Sequence, residues 1–285
     1  MLEFLQALTQ YNFLGYALAG GLLASLSCGV VSAYVVSRRL TYLAGAIAHC
    51  VLAGLGGARY AQVRWGILWL DPLYGALLTA LLAALIIGWV SLRARQREDS
   101  IIGSLWALGM AGGVLFLAAT PGYETDLMNY LFGNILLLDP ASLWLMLGLA
   151  GLVLILGLGL YPELLAVCAD EEFARLRGLN TEFYYLLLLA MTSLTVVLLS
   201  SLVGLVLVIA LLTLPAALAS LMARRLRGII VISIIACALF NFSGLCLSYL
   251  WDLPSGAVTV MVAGTVYLCA LLVSKILKTR HSDGS

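Results

Sequence analysis

Hydrophobic residues along this chain are gathered into nine stretches that are separated by short polar segments. The stretches cover residues 14–36, 42–58, 67–90, 101–120, 142–161, 184–201, 203–222, 229–250 and 256–275. A helix that crosses a lipid bilayer needs about 20 predominantly apolar residues, and most of these stretches reach that length. The sixth and seventh are almost continuous, so they form either two spans or one span plus a broken or re-entrant helix. The pattern predicts an all-α polytopic bundle of eight to nine transmembrane helices.

The composition supports an integral membrane protein. Hydrophobic residues make up 63% of the 285 residues and charged residues only 10%, whereas an ordinary soluble domain carries about 25% charged residues. Glycine is frequent, with 28 residues, and small residues allow membrane helices to approach closely. We expect one transmembrane domain over residues 1–285. Its first stretch is expected to be retained, because Glu3 stands where a secretion signal carries a basic cluster.

The positive charges indicate how the bundle lies in the membrane, because Lys and Arg accumulate in cytoplasmic connections. If nine helices cross and the first connection is cytoplasmic, every Lys and Arg except Arg59 and Arg64 falls on that side. The cytoplasmic set is then Arg38, Arg39, Arg93, Arg95, Arg97, Arg175, Arg177, Arg224, Arg225, Arg227, Lys275, Lys278 and Arg280. This distribution predicts an outside N-terminus and a cytoplasmic C-terminus. Eight spans would require one end to change sides.

The longest polar segment on the cytoplasmic side, residues 168–180, has the pattern of a short helix. Asp170 is suited to cap a first turn that holds Glu171 and Glu172, and Gly178 is suited to end it. Helices that lie on a lipid surface usually present Lys and Arg to anionic lipids, whereas this segment mixes acidic and basic residues. The pattern favours docking to another protein over binding to the membrane surface.

Several functional classes require residues that this sequence lacks. It contains neither the GxxxxGK[ST] nucleotide-binding loop nor the HExxH metalloprotease motif. A proton-driven carrier needs carboxylates inside the membrane, and Asp71, near the end of a stretch, is the one candidate. The six cysteines form no CxxC pair, so they predict neither a disulfide framework nor a zinc cluster. We expect no enzymatic activity and no binding of nucleic acid.

His49 is an ionisable residue inside the second hydrophobic stretch. Such residues are costly within the hydrocarbon layer, and for that reason they mark candidate functional sites. An imidazole ring binds zinc and other first-row metals, but a polar side chain also holds membrane helices together by hydrogen bonding. From the residues alone, a packing histidine and a metal ligand both stay open.

Four segments together resemble the membrane permease subunit of bacterial ABC importers for zinc, manganese and iron. The first two are Arg38-Arg39-Leu40-Thr41-Tyr42 with Ala48-His49, and residues 126–133, which begin with Asp126. The others are the loop from Asp170 to Gly178 followed by residues 203–217 around Pro215, and residues 244–256. The order and spacing of these segments carry the resemblance, which extends over most of the chain.

The resemblance implies a multi-pass permease of the bacterial cytoplasmic membrane, surrounded by lipid and without a permanently bound cofactor. It implies three partners: a cytoplasmic ATPase that binds ATP, an extracytoplasmic metal-binding receptor, and a second permease copy that completes a homodimer. Residues 168–181 match the family's coupling loop, which docks into the ATPase. The match implies that contact for Asp170, Glu171, Glu172, Ala174 and Gly178.

The resemblance also assigns His49 to the metal pathway, where a site with few ligands permits release of the ion. The family commonly has an aspartate four residues before this histidine, but here the position is Gly45. Manganese depends on oxygen ligands more than zinc does. We therefore expect zinc as the transported ion, with manganese, iron or a metal chelate as alternatives and secondary transport as the least favoured function. Aspartate introduced at position 45 is expected to shift the preference toward manganese.

Three further residues are candidate metal ligands, each with a structural alternative. Cys50 follows His49 but lies about 100° around the helix, which favours a packing role. Asp71 precedes Pro72 and is equally suited to cap a helix, and Asp126 has the same alternative on the outer side. Pro215 interrupts an apolar stretch and is a candidate hinge of the pathway, with simple helix packing as its alternative.

Overall fold

The computed structural model describes residues 12–67, 69–93, 98–121, 130–131, 133 and 140–282. All regular secondary structure in these ranges is helical. The helices with assigned bounds are α1 (Asn12–Ser37), α2 (Thr41–Trp65), α3 (Pro72–Arg93), α4 (Glu98–Ala118), α5 (Pro140–Gly159), α6 (Tyr161–Ala169), α7 (Glu171–Leu176), α8 (Thr181–Val203), α9 (Leu205–Met222), α10 (Leu226–Trp251) and α11 (Ser255–Ser282). The predicted all-α bundle is confirmed.

The described helices account for the predicted membrane spans. In the described ranges, α1 to α5, α8, α10 and α11 are long and apolar enough to cross a membrane, which makes eight candidate spans. The seventh hydrophobic stretch is α9, a helix of 18 residues and therefore about 27 Å long. Gly204 separates α8 from α9 with a φ of 78°, in the region that favours glycine. The sixth and seventh stretches are thus two helices, and the predicted number of eight to nine is confirmed.

Arginine-bearing connections meet at one end of the bundle, which we name the basic end. Arg38, just after α1, pairs with Glu171 of α7 at 2.6 Å. Arg227, in the first turn of α10, lies 5.0 Å from the ring centroid of Tyr161, where α6 begins. Since α8 leaves this end and α10 starts from it, α9 carries the chain back across the bundle. α11 follows α10 from the opposite end and runs back beside α9 and α10.

The centre of the bundle is formed by α1, α2 and α8, most of whose residues are buried, while α4, α5 and α11 expose most of theirs at the rim. Glycines permit the closest helix contacts. A Cβ added to Gly54 would lie 2.2 Å from the carbonyl oxygen of Gly75, and a Cβ on Gly75 would lie 2.3 Å from that of Gly54. α2 and α3 therefore touch backbone to backbone, as the glycine content predicts.

Candidate metal pathway and coupling helix

His49 lies in the first half of α2, about 12 Å along the helix from its start near the basic end, and its side chain is half-buried. Its Nδ1 is 2.9 Å from the carbonyl oxygen of Gly45, one turn earlier. Because a carbonyl only accepts, Nδ1 carries a proton, and in the neutral tautomer with this proton Nε2 holds the lone pair. Metal-binding histidines commonly donate a hydrogen bond from their second ring nitrogen in this way, and that bond fixes the tautomer and the ring orientation. The hydrogen bond to the Gly45 carbonyl thus fixes the orientation of the ring and leaves Nε2 able to bind a cation.

The indole of Trp106, on α4, lies against the His49 ring, with the centroids 4.5 Å apart and the planes inclined by 32°. It also covers Gly45, since a Cβ at that position would lie 3.3 Å from Cζ3 of Trp106. Ile209 of α9 approaches the same point, with its Cδ1 at 3.1 Å. One face of α2 therefore carries Gly45 and His49 and is covered by two apolar side chains. Sequence analysis missed Trp106, because a tryptophan in an apolar stretch gives no sign of its partner.

Cys50 is buried between α2 and α4. Its Sγ lies 3.4 Å from the carbonyl oxygen of Leu105, to which the thiol donates. The backbone of α4 is close here, because a Cβ on Gly109 would lie 2.7 Å from Cα of Cys50. This geometry agrees with the packing alternative for Cys50.

Asp71 and His49 are far apart. Oδ1 of Asp71 accepts from the backbone N–H of Leu73 at 2.8 Å, so Asp71 caps α3 while Pro72 takes the first helical position. His49 is about 24 Å from the far end of α2, beyond which Asp71 lies. Asp126 lies outside the described residues. Within the part of the chain that the structure describes, no group of three or more His, Cys, Asp or Glu residues could hold a metal ion.

The short helix α7 is built as the sequence predicts. Oδ1 of Asp170 accepts from the backbone N–H of Phe173 at 3.0 Å, and the first turn holds Glu171 and Glu172. Gly178 follows the helix with a φ of +81°, a conformation that side chains with a Cβ rarely adopt. No other heavy atom lies near the position of a Cβ on Gly178, so its backbone conformation, and not crowding within this chain, accounts for glycine there.

The side chains of α7 divide into an inner and an outer face. Ala174 is fully buried within this chain, whereas Phe173 is 49% exposed and Leu176 is 86% exposed. The small size of Ala174 therefore fits packing of α7 onto its own bundle. Phe173 and Leu176 form an exposed apolar face, and sequence analysis missed it. Their spacing of three residues on a charged helix was the available signal.

Arg38 ties α7 and α6 to the turn between α1 and α2. Its guanidinium donates to Oε2 of Glu171 at 2.6 Å and also to the carbonyl oxygen of Val167. The same group lies 5.4 Å from the ring centroid of Tyr185, on α8. Burial raises the pKa of the nearby Cys168 thiol to about 11, although the positive charge of Arg38 acts to lower it. Cys168 is therefore a neutral thiol at physiological pH.

Pro215 is buried inside α9. Because proline has no N–H, it cannot donate to the carbonyl of Leu211 four residues earlier. Cys28 of α1 supplies the missing donor, with Sγ 3.1 Å from the Leu211 oxygen. Membrane helices tolerate proline where a neighbouring helix satisfies the freed group. The interruption in α9 is thus bonded to a central helix, and a hinge at Pro215 stays a prediction.

Long apolar helices that cover one another's faces, with a capped helix at one end, are the architecture of a multi-pass membrane protein, as the sequence predicts. Comparison with known families specifies the class. The model of the ABC 3 transport family matches residues 10–274. The chain belongs to this family, and the resemblance to ABC metal permeases found from the sequence motifs is confirmed.

Individual relatives agree with this assignment. A protein of Chlamydia pneumoniae named "Probable metal transport system membrane protein" is 35% identical, over 88% of this chain and 86% of the relative. The "Manganese transport system membrane protein MntC" of Halalkalibacterium halodurans is 32% identical, over 95% of this chain and 90% of the relative. The solved structure of PsaBC from Streptococcus pneumoniae in complex with Fab matches with a TM-score of 0.87 and 29% identity, covering 98% of this chain and 100% of the matched chain. The relatives are membrane components of transport systems, which confirms the predicted non-enzymatic permease.

Proposed function

We propose that this chain is the permease of an ABC importer that carries a divalent transition metal, with zinc as the preferred ion, into the bacterial cytoplasm. The observation that carries the proposal is the 2.9 Å contact between Nδ1 of His49 and the carbonyl oxygen of Gly45. This contact orients the ring so that Nε2 is the nitrogen that would bind a cation, on a helix at the centre of the bundle. Position 45 adds no carboxylate, and a nitrogen ligand without oxygen neighbours suits zinc better than manganese.

One permease copy supplies too few ligands for a closed tetrahedral zinc site. The remaining ligands would come from His49 of a second copy, from backbone carbonyls or from water. Incomplete coordination suits transport, because an ion that is held by few ligands is also released. The proposed assembly is therefore a homodimer with His49 lining the central pathway.

Two further partners complete the importer in this proposal. The exposed face of α7, with Phe173 and Leu176, would dock into an ATPase that binds the nucleotide. Asp170 and Gly178 would act by fixing the start and the end of that helix, and Ala174 by seating it on the permease. A metal-binding receptor would deliver the ion at the opposite end of the bundle.

The orientation follows from the positive charges. The basic end collects Arg38 and Arg227, and cytoplasmic connections are enriched in Lys and Arg. We therefore assign this end to the cytoplasm, together with the C-terminal end of α11. Arg95 and Arg97, which belong to the same predicted set, lie outside the described residues.

Manganese is the second candidate ion. Its support is the relative from Halalkalibacterium halodurans, which is named as a manganese transport protein. The glycine at position 45 argues in the other direction, because no carboxylate oxygen stands one turn before His49. Iron and metal chelates share the proposed fold and partners without a specific observation in their favour.

The proposal is tested with the His49→Ala variant, produced together with the ATPase and the receptor in a zinc-starved strain. We expect zinc uptake to fall by about tenfold or more, as when a metal-site contact is lost, while co-purification with the ATPase is retained. His281→Ala is the matched control, since His281 is the second of the two histidines. Wild-type zinc uptake by the His49→Ala variant would contradict the metal role and leave the backbone-bonding role.

A further inference from the structure

We infer that Trp106 determines the metal specificity of the pathway by occupying the space into which a side chain at position 45 would project. This inference rests on the proposed role of His49 as a metal ligand. The new element is that two positions, Gly45 on α2 and Trp106 on α4, together decide whether a carboxylate can lie beside His49. The indole occupies the place beside the imidazole that a carboxylate from position 45 would take.

The geometry of the three residues carries the inference. A Cβ at position 45 would lie 3.3 Å from Cζ3 of Trp106, closer than an ordinary contact between carbon atoms, and 3.5 Å from Cη2, which is an ordinary contact. The same indole is stacked 4.5 Å from the His49 ring. Residues 45 and 49 are one helical turn apart, so their side chains project from the same face of α2. The six-membered ring of Trp106 thus fills the space beside His49 in which a ligand from position 45 would lie.

A side chain at position 45 would share its space with the indole. Its Cβ alone is already closer to Cζ3 of Trp106 than an ordinary contact, so the atoms beyond Cβ would compete with the indole for room. Ile209 of α9 limits movement away from the indole, because its Cδ1 would lie 3.1 Å from the same Cβ. A carboxylate at position 45 would therefore displace Trp106 or Ile209, and a smaller residue at position 106 would remove one of these two contacts.

The indole of Trp106 offers a metal ion no ligand atom. Its ring nitrogen only donates a hydrogen bond, so Trp106 supplies no lone pair to a metal. A cation beside His49 then finds an imidazole nitrogen and an aromatic surface, and no carboxylate oxygen from this face. Zinc accepts nitrogen ligands, whereas manganese favours carboxylate, carbonyl and water oxygens. The Gly45 and Trp106 pair therefore disfavours manganese.

The test enlarges the side chain at position 45 and reduces the one at position 106. It uses the permease–ATPase complex with the receptor present. Four permeases are compared: wild type, Gly45→Asp, Trp106→Ala and the variant with both substitutions. The readouts are binding of manganese and zinc to the purified complex and uptake of both ions in competition. We expect the double variant to raise the manganese-to-zinc ratio by about tenfold or more, the scale on which contacts near a metal change affinity. Each single variant should change the ratio by much less, so the effects should not add on a logarithmic scale. The shift toward manganese that the sequence predicts for aspartate at position 45 is thus expected in full only when Trp106 is also replaced.

The matched control is the double variant with Gly45→Leu and Trp106→Ala. Leucine branches at the same atom as aspartate but carries no oxygen, so it should leave the ratio near the wild-type value. If Trp106→Ala prevents assembly with the ATPase, Trp106→Phe is used with each substitution at position 45, because phenylalanine has a smaller ring and remains apolar.

Two results would overturn the inference. The first is a shift with Gly45→Asp alone that equals the shift of the double variant, because the indole would then not control the space. The second is a wild-type ratio in the double variant while His49→Ala still abolishes uptake, because Trp106 would then only pack. Failure of the proposed function is recognised separately, by normal uptake in the His49→Ala variant.

Discussion

Replacing Cys28 by alanine should destabilise the permease because the carbonyl of Leu211 loses its donor. The Cys28 thiol is buried and lies 3.1 Å from that oxygen, and Pro215 cannot supply an N–H. A buried carbonyl left unpaired costs about 1–3 kcal/mol, so we expect a loss of about 2 kcal/mol. Since 1 kcal/mol shifts Tm by about 2–4 °C in a protein of roughly this size, Tm should fall by about 4–8 °C.

Three matched variants isolate this bond. Cys28→Ser keeps a donor and should stay closer to wild type than Cys28→Ala. Pro215→Ala restores an N–H that bonds to Leu211 within α9, so Cys28 becomes dispensable. In the Pro215→Ala background, Cys28→Ala should therefore cost about 1–2 kcal/mol less than it does alone, an interaction energy typical of groups in contact.

The assay is thermal unfolding of each purified permease, followed by tryptophan fluorescence in one detergent. An equal fall in Tm on Cys28→Ala in both backgrounds would refute the reasoning, because the loss would then come from packing alone. Metal uptake of the same variants tests the hinge. If Pro215 acts as a hinge, Pro215→Ala should be at least as stable as wild type but slower in transport, whereas normal uptake would exclude the hinge.

Two further predictions concern the contact between Arg38 and α7 and the contact between Gly54 and Gly75. Arg38→Gln removes a half-buried ionic hydrogen bond to α7, so amides of α7 should exchange with deuterium about fivefold faster, equivalent to about 1 kcal/mol. Arg39→Gln, at an exposed neighbouring arginine, is the control. Equal exchange in both variants would contradict a stabilising role of Arg38 for α7. Gly54→Ala forces a methyl group into a backbone contact of 2.2 Å and should cost about 1–3 kcal/mol in thermal unfolding. Gly57→Ala, with its nearest neighbour at 3.7 Å, should be nearly neutral, and a similar loss in both would exclude steric overlap as the cause.

The bundle could be predicted from the sequence because the length of an apolar stretch is read directly against the thickness of a bilayer. Hydrogen bonds between residues close in sequence could be predicted equally well. The caps at Asp71 and Asp170 and the left-handed position at Gly178 involve residues within one turn of chain, and all three are observed. The boundary between α8 and α9 was ambiguous, because Gly204 resembles any other glycine in an apolar run until its φ is known.

Contacts between distant segments could not be predicted. Nothing in the sequence pairs Trp106 with His49, or Cys28 with the carbonyl freed by Pro215, because each pair joins helices whose relative rotation depends on the whole bundle. The inner and outer faces of α7 could not be assigned from the sequence for a related reason. Ala174 is a member of the family motif, but its burial depends on how α7 sits on its own bundle.

Contacts at the basic end connect α7 with the helix that carries the candidate metal site. Arg38 bonds to α7 and stands at the turn into α2, where Arg39 has the unusual φ of 59°. α2 then carries Gly45 and His49 within its first nine residues. Under the proposed function, a partner that displaces α7 would pull on Arg38 and so on the turn at which α2 begins. The ion pair between Arg38 and Glu171 is therefore the contact through which docking at the basic end would reach the helix that carries His49.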